Sequence, residues 1–169
     1  PTDSSAASDV YKRQTSIRGE MNEGEISTRL GLIGIPACAE VIIIERDIRL
    51  AKLTGAHYHV AHVSTRDAVN VIREAKKSGL SITCDTAPPY FSLNENKLLT
   101  YNTAFKLSPP LRSEDDRLAI IEGIQDGTID AIASDHRARS KDTKAQPFSA
   151  ASVGASGIET LFSITLDLV

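Results

Sequence analysis

Apolar residues recur along the chain with two alternating periods. Within residues 36–54 they fall at Val41, Ile44, Ile48 and Ala51, one face of a helix. Pro36 suits the first turn of that helix and Gly55 its stop. Residues 58–63 form a short apolar run and predict a buried strand, with Ser64 and Thr65 behind it as cap candidates. Ala68, Val71, Ile72 and Ala75 predict a second helix, stopped by Gly79 after Lys76 and Lys77. Residues 80–86 predict another strand. The stretch 86–101 carries Pro88, Pro89, Asn94 and Asn96 and predicts mostly loop, and residues 103–107 predict a short strand before Pro109 and Pro110. Ser113, with Asp116 three positions on, is a variant capping box. It opens a helix faced by Leu118, Ile121 and Ile124 and ended by Gly127. Residues 129–134 predict a strand, 137–146 a polar loop, and 157–169 an apolar stretch with helical spacing.

Strands separated by helices of about 10–15 residues predict βαβ units and a parallel sheet. Near-continuous apolar strands agree, because parallel strands are covered on both faces. Two closures compete, an open doubly wound sheet and a (β/α)8 barrel. No G-x-G-x-x-G or G-x-x-x-x-G-K-[ST] follows a strand, so a nucleotide-binding open sheet lacks its usual mark. A barrel takes about 250 residues, and the roughly four βα units read here make about half of one. The expected fold class is therefore α/β, a partial TIM-like (β/α)8 barrel.

Composition narrows the function classes. The 169 residues are 41% hydrophobic and 24% charged, as in an ordinary globular protein, and the net charge of −3 makes nucleic acid a poor partner. No apolar run approaches the roughly 18 residues of a membrane span; the run 41–44 is bounded by Glu40 and Glu45. Cys38 and Cys84 form no CxxC pair, which points to a reducing compartment and a cytoplasmic location.

Residues 1–16 are polar and small, without the apolar segment of about 7–15 residues that a secretory signal needs. SSAASDVYKRQ at 4–14 resembles an in-frame translation of a common sequencing-library adapter. The expectation is a non-native or disordered tail over 1–16 and a barrel domain over 17–169. With an adapter joined near Thr15, the protein extends upstream. Val169 ends an apolar helical pattern without a cap, so both ends read as cut.

Candidate chemistry gathers at two strand ends. Of the histidines His57, His59, His62 and His136, the third lies near the end of the first predicted strand, just before the Ser64-Thr65 turn. Asp135 directly follows the strand predicted over 129–134. In a parallel α/β fold both project from carboxyl ends onto one rim, where such folds place their sites. A histidine nitrogen and a carboxylate together suit a divalent metal such as zinc. From the residues alone, His62 is either a ligand or an ordinary hydrogen-bonded histidine, and Asp135 either a ligand or a turn residue.

YHVAHVST at 58–65, FKLSPPLRSEDDR at 105–117 and DGTIDAIASDH at 126–136 resemble dihydroorotase of the long, barrel-type class in the cyclic amidohydrolase superfamily. MNEGEISTRLGLIGIPACAE at 21–40 and SGIET at 156–160 do so too, and the resemblance runs from about residue 21 to the end. It implies the C-terminal half of the barrel and a metal-dependent interconversion of N-carbamoyl-L-aspartate and dihydroorotate, in pyrimidine synthesis. It also implies zinc, with two ions in the complete enzyme, a small-molecule substrate and a homo-oligomer. His62 matches the family's metal-binding histidine, and Asp135 the aspartate that binds metal and shuttles the proton. The family's HxH pair is not in this chain, and its other ligands belong upstream of Met21. Pro89 and Tyr90 stand where the family has two histidines, Ser108 where it has an asparagine, and Arg139 where it has a substrate-facing histidine. Ser108 either donates to the substrate or is a loop serine. Arg139 either meets a substrate carboxylate or is solvated. Relatives with such departures resemble non-catalytic partners of aspartate carbamoyltransferase, which is the alternative reading; a hydantoinase or allantoinase relative is the third. Of the remaining polar residues, His57 and His59 read as strand-face or hydrogen-bonding groups. His136 reads as a support for Asp135 or a surface residue, Cys84 as a small buried hydrophobe, and Asp85 and Asp116 as loop and cap carboxylates.

Overall fold

A computed structural model describes residues 19–168; the tail expected over 1–16, and Val169, lie outside the described residues. The described chain opens with β1 (Met21–Asn22), α1 (Glu25–Leu30) and β2 (Gly34–Ile35), the two strands pairing in parallel. Helix α2 (Cys38–Thr54) follows, and Gly55, at φ 70°, ends it in the left-handed conformation that glycine takes without strain. Then come β3 (Tyr58–Val60), α3 (Arg66–Lys77), β4 (Ile82–Thr86), α4 (Pro88–Ser92), α5 (Glu114–Gln125), β5 (Ala131–Ile132), α6 (Lys141–Lys144) and α7 (Leu161–Leu166). Strands β3, β4 and β5 form a parallel sheet in that order, with Tyr58 opposite Ile82 and Asp85 opposite Ala131. The two successive βαβ units expected from the alternation are therefore present.

Among the described residues the sheet is covered on one face. Val60, Ile82 and Cys84 point under the helices and join Val69, Ile72 and Ile120 in the main core. The alternate positions carry His57, His59, Ser81, Thr83 and Asp85, a polar row on which His57, His59 and Ser81 are exposed. Period-2 alternation sends every second side chain to that face, so the strands are apolar on one side only. They are also shorter than expected: the left-handed backbone at His62 ends the strand predicted over 58–63 at Val60, and the strand predicted over 129–134 is reduced to Ala131–Ile132.

Capping explains where the helices begin. Thr65 Oγ1 accepts the Ala68 N–H at 3.3 Å and starts α3. Ser113 Oγ accepts the Asp116 N–H at 3.2 Å and starts α5. The box is not reciprocal: Asp116 Oδ2 accepts a hydrogen bond from the Ser113 hydroxyl at 2.6 Å, and Oδ1 accepts the Arg66 N–H at 2.9 Å, tying the two helix starts together. The stretch 86–101 is not mostly loop. Pro88 and Pro89 occupy the first turn of α4, where a missing N–H costs nothing, and Asn94 caps a 3-10 helix over Glu95–Thr100. The strand expected over 103–107 is a 3-10 turn, Thr103–Phe105, capped by Asn102, and the polar loop 137–146 contains α6.

Cys84 is fully buried, its thiol donating to the Thr128 carbonyl at 3.2 Å, and burial pushes its pKa up to about 11. Beside it, Asp130 Oδ2 accepts from Lys76 Nζ at 2.6 Å and the Cys84 N–H at 2.7 Å. Burial works to raise the Asp130 pKa, but these donors outweigh it and hold it below the usual value. A carboxyl lowered on folding contributes stability above its unfolded pKa of about 3.9, and that contribution is lost as pH falls below it. The melting-temperature difference between the protein and its Asp130→Asn variant should therefore be largest near neutral pH and shrink below about pH 4. A difference constant from pH 7 to pH 3 would contradict this.

Candidate active site

Two of the three non-glycine residues at positive φ among the described residues are His62 (φ 58°) and Asp135 (φ 42°). Each sits just past the carboxyl end of its strand, β3 or β5. Backbone in this region is strained for a side-chain-bearing residue and persists where surrounding contacts enforce it. At His62 those contacts come from β4: Asp85 Oδ1 accepts the His62 N–H at 2.8 Å, the Asp85 carbonyl accepts the Val63 N–H at 2.8 Å, and Thr86 Oγ1 donates to the Val63 carbonyl at 2.8 Å.

The turn brings the two candidate ligands together. His62 Nε2 lies 3.6 Å from Asp135 Oδ1, and Arg137 Nε stands 3.0 Å from the same oxygen. On the other side of the ring, His62 Nδ1 is 3.0 Å from Asp85 Oδ1. That contact is within ion-pair reach but off the N–H direction, so the buried nitrogen has no aligned hydrogen bond among the described residues. Asp85 beside the ring raises the His62 pKa above its ordinary value against the effect of burial, with the charge of Asp135 adding to the rise and Arg137 opposing it.

Asp85, expected to be a loop carboxylate, is a buried strand residue at the centre of the site. Its Oδ2 lies 2.9 Å from His59 Nε2. His59 Nδ1 is 2.8 Å from Thr83 Oγ1, His57 Nε2 is 3.1 Å from that oxygen, and His57 Nδ1 is 3.0 Å from Ser81 Oγ. With neutral rings one proton order satisfies the row: Ser81 donates to His57, His57 to Thr83, Thr83 to His59, and His59 to the acceptor-only carboxylate. Burial works to raise the Asp85 pKa, but donation from His62 and His59 outweighs it and holds the carboxyl at about 2. His57 and His59 are thus hydrogen-bonding groups, as expected.

The His62–Asp135 pair has the donors and spacing for a cation. Two ligands each about 2.1 Å from one tetrahedral zinc lie roughly 3.4 Å apart, close to the 3.6 Å found. A carboxylate behind the other ring nitrogen is the usual support for a metal-bound histidine. Among the described residues, no group of three His, Cys, Asp or Glu side chains is placed to hold a metal. The pair accounts for part of a metal shell and no more.

The other candidates stand apart from the pair. Arg139 is exposed, and its Nε donates to the Val153 carbonyl at 2.9 Å; the arginine on Asp135 is Arg137. Ser108 is exposed beside a small cavity lined by Ile35, Ala39, Glu40, Pro109, Pro110 and Arg112. Tyr90 lies buried, its hydroxyl donating to the Pro109 carbonyl at 3.1 Å, so it anchors the loop that carries Ser108. His136 Nδ1 accepts the Gly157 and Ile158 N–H groups at 3.3 Å each and holds that turn, so it is the segment after Asp135 rather than its carboxylate that His136 secures. A Cβ at Gly157 would come within 2.5 Å of the Ser134 carbonyl oxygen, which belongs to backbone and has no free room. Gly157→Ala is therefore expected to displace the Ser134–Asp135 backbone and to destabilise the protein by about 1–3 kcal/mol, the usual cost of overpacking; an unchanged melting temperature would contradict it.

Residues 5–68 match a family model described as dihydro-orotase-like. The chain is 50% identical over 151 residues to the dihydroorotase of Desulforapulum autotrophicum and 47% identical over 151 residues to that of Anaplasma phagocytophilum. It covers 89% of its own length in both matches, and 35% and 34% of theirs. The dihydroorotase of Trichlorobacter lovleyi is 51% identical over 151 residues. Among solved structures, an L-hydantoinase (dihydropyrimidinase) from Arthrobacter aurescens superposes with a TM-score of 0.76 at 25% identity, and a dihydropyrimidinase from Brevibacillus agri with 0.73 at 26%; each match covers 95% of this chain and 35% of the other. The chain spans about a third of the length of the curated relatives it matches, and over that third it is similar in sequence to dihydroorotases and in fold to hydantoinases and dihydropyrimidinases.

Proposed function

We propose that this chain is part of a dihydroorotase, a cyclic amide hydrolase. It contributes several βα units to the C-terminal half of a (β/α)8 barrel and two groups to its metal centre. The observation that carries the reading is the 3.6 Å approach of His62 Nε2 to Asp135 Oδ1 at the carboxyl ends of two parallel strands. The name the relatives carry, dihydroorotase, favours dihydroorotate as the substrate, and the resemblance of the motifs implies N-carbamoyl-L-aspartate as its open-chain partner.

His62 and Asp135 would hold zinc, with the remaining ligands, and those of a second ion, supplied by the rest of the barrel. When bound, the metal supplies Lewis acidity that polarises the attacked carbonyl. Asp135 takes the proton of the attacking water and returns it to the leaving nitrogen, the work of a positioned general base and acid. Arg137 holds the carboxylate in place through its 3.0 Å contact. Ser108 and Arg139 are the candidate contacts to the substrate's polar groups, Arg139 through a carboxylate. The complete enzyme acts in the cytoplasm as a homo-oligomer.

The test is turnover of dihydroorotate by the complete protein supplied with zinc, beside the 169-residue chain alone. The complete protein should be active. The chain alone should not, because a catalytic zinc takes about three protein ligands and the described residues bring two together. A complete protein that binds zinc without turning over dihydroorotate would defeat the reading, and co-purification with aspartate carbamoyltransferase would then mark a non-catalytic subunit.

A further inference from the structure

We propose that Asp85, braced by His59, positions His62, fixing both the left-handed turn at residue 62 and the ring edge that faces Asp135. The proposal rests on the reading of His62 as a metal ligand. One carboxylate oxygen does two jobs: Oδ1 accepts the His62 backbone N–H at 2.8 Å and stands 3.0 Å from Nδ1 of the same residue. The strained backbone and the ring are thus held from a single point. That point is itself fixed, since Oδ2 lies 2.9 Å from His59 Nε2, and His59 is 2.8 Å from Thr83, its register partner on β4. Oδ1 lies off the Nδ1–H direction, so its hold on the ring is electrostatic: a carboxylate charge 3.0 Å away favours the proton of a neutral imidazole on Nδ1 and leaves the Nε2 lone pair facing outward. In this chain outward means toward Asp135, 3.6 Å away.

Neither ligand assignment requires this residue. Other devices could fix a metal-bound histidine, such as a backbone carbonyl or a water. Here a carboxylate from the neighbouring strand holds the ring and its peptide together, so losing it should disturb ligand geometry more than folding.

The experiment uses the complete protein and its Asp85→Asn, Asp85→Ala and His59→Gln variants. Two readouts are independent. In metal-free protein, at a pH where the ring is neutral, the side-chain ¹⁵N shifts of His62, assigned with His62→Gln, report its tautomer. The parent should carry the proton on Nδ1, and the Asp85 variants should shift toward the Nε2–H form. Zinc affinity, from competition with a chelator, should fall about 10–100-fold in both Asp85 variants and less in His59→Gln, with melting temperatures close to the parent's. Should Asp85→Ala fail to fold, Asp85→Asn decides, because its amide oxygen still accepts the backbone N–H. An Nε2–H tautomer in the parent, or an unchanged tautomer and zinc affinity in Asp85→Asn, would overturn the proposal. A parent that neither binds zinc nor turns over dihydroorotate defeats the functional reading, and the tautomer measurement still supports or overturns the positioning.

Discussion

Asp135→Asn in the complete protein should lower dihydroorotate turnover by at least about 10²-fold, and by as much as about 10⁴-fold, the range that positioned acid-base groups supply. The fold should survive. Asparagine is nearly isosteric with aspartate, and residue 135 sits on the rim rather than in the main core. Its left-handed backbone, φ 42°, is a conformation that asparagine also tolerates. What changes is chemistry: an amide is neutral at working pH, so it neither takes the proton of water nor offsets the charge of a cation. The substitution also removes the charge that Arg137 meets at 3.0 Å. His62→Ala should resemble it, because it removes the nitrogen facing the same carboxylate. His136→Ala should cost less, since the hydrogen bonds of that ring go to the Gly157 and Ile158 N–H groups. Steady-state rates with added zinc, with melting temperatures alongside, check all three. An active parent whose Asp135→Asn variant stays within about threefold of it would defeat the assignment of Asp135 as proton shuttle.

Why Asp135 and His62 were legible while Asp85 was not is a matter of which signal each carries. A strand pattern followed at once by a polar residue with catalytic chemistry marks the carboxyl end of a β-strand, and a parallel fold gathers those ends on one rim. The sequence therefore predicts that the two residues share one rim. Asp85 lies inside β4, between Cys84 and Thr86, both fully buried, and a carboxylate there has no positional mark of its own. A signal did exist in the alternation: Ser81, Thr83 and Asp85 share one face of β4, and His57 and His59 share the matching face of β3. Two adjacent strands, polar on the same side, mark a face that is not packed against the helices. The expectation of strands apolar on both faces hid that row. Arg137 carried no such mark, because in a polar loop only the backbone path decides which of two arginines turns back to Asp135. The 3-10 turn over Thr103–Phe105 differs from the expected strand for a related reason: Phe105 packs against neighbouring elements, while Asn102 supplies the local cap that a strand would lack.

A second large effect belongs to the buried ion pair beneath the rim. Glu40 on α2 and Arg112, which precedes α5, are both almost inaccessible to solvent. Glu40 accepts the Ser64 N–H at 2.9 Å, the Thr65 N–H at 3.3 Å and both hydroxyls of that turn. Arg112 donates to Asn22 Oδ1 at 2.8 Å, the Ile35 carbonyl at 2.9 Å and Ser64 Oγ at 3.3 Å, with its guanidinium 3.7 Å from Glu40. One pair thus joins β1, β2, α2 and the turn that follows His62. Removing one partner strands the other charge in low dielectric, which costs about 3–5 kcal/mol, a large share of the roughly 5–15 kcal/mol that holds a typical domain together. Glu40→Ala is expected to destabilise the complete protein by that amount in urea unfolding. Arg112→Met should do the same, and the double variant should lose less than the sum of the two, with a coupling of about 0.5–3 kcal/mol. Because Ser64 and Thr65 hang on Glu40 immediately after the His62 turn, Glu40→Gln should weaken zinc binding even where the protein remains folded. The amide can still accept one backbone N–H, but it gives up the charge-assisted hold on the rest of the turn. A Glu40→Ala variant within about 1 kcal/mol of the parent, below the cost of stranding a buried charge, would show that this network does not carry the turn.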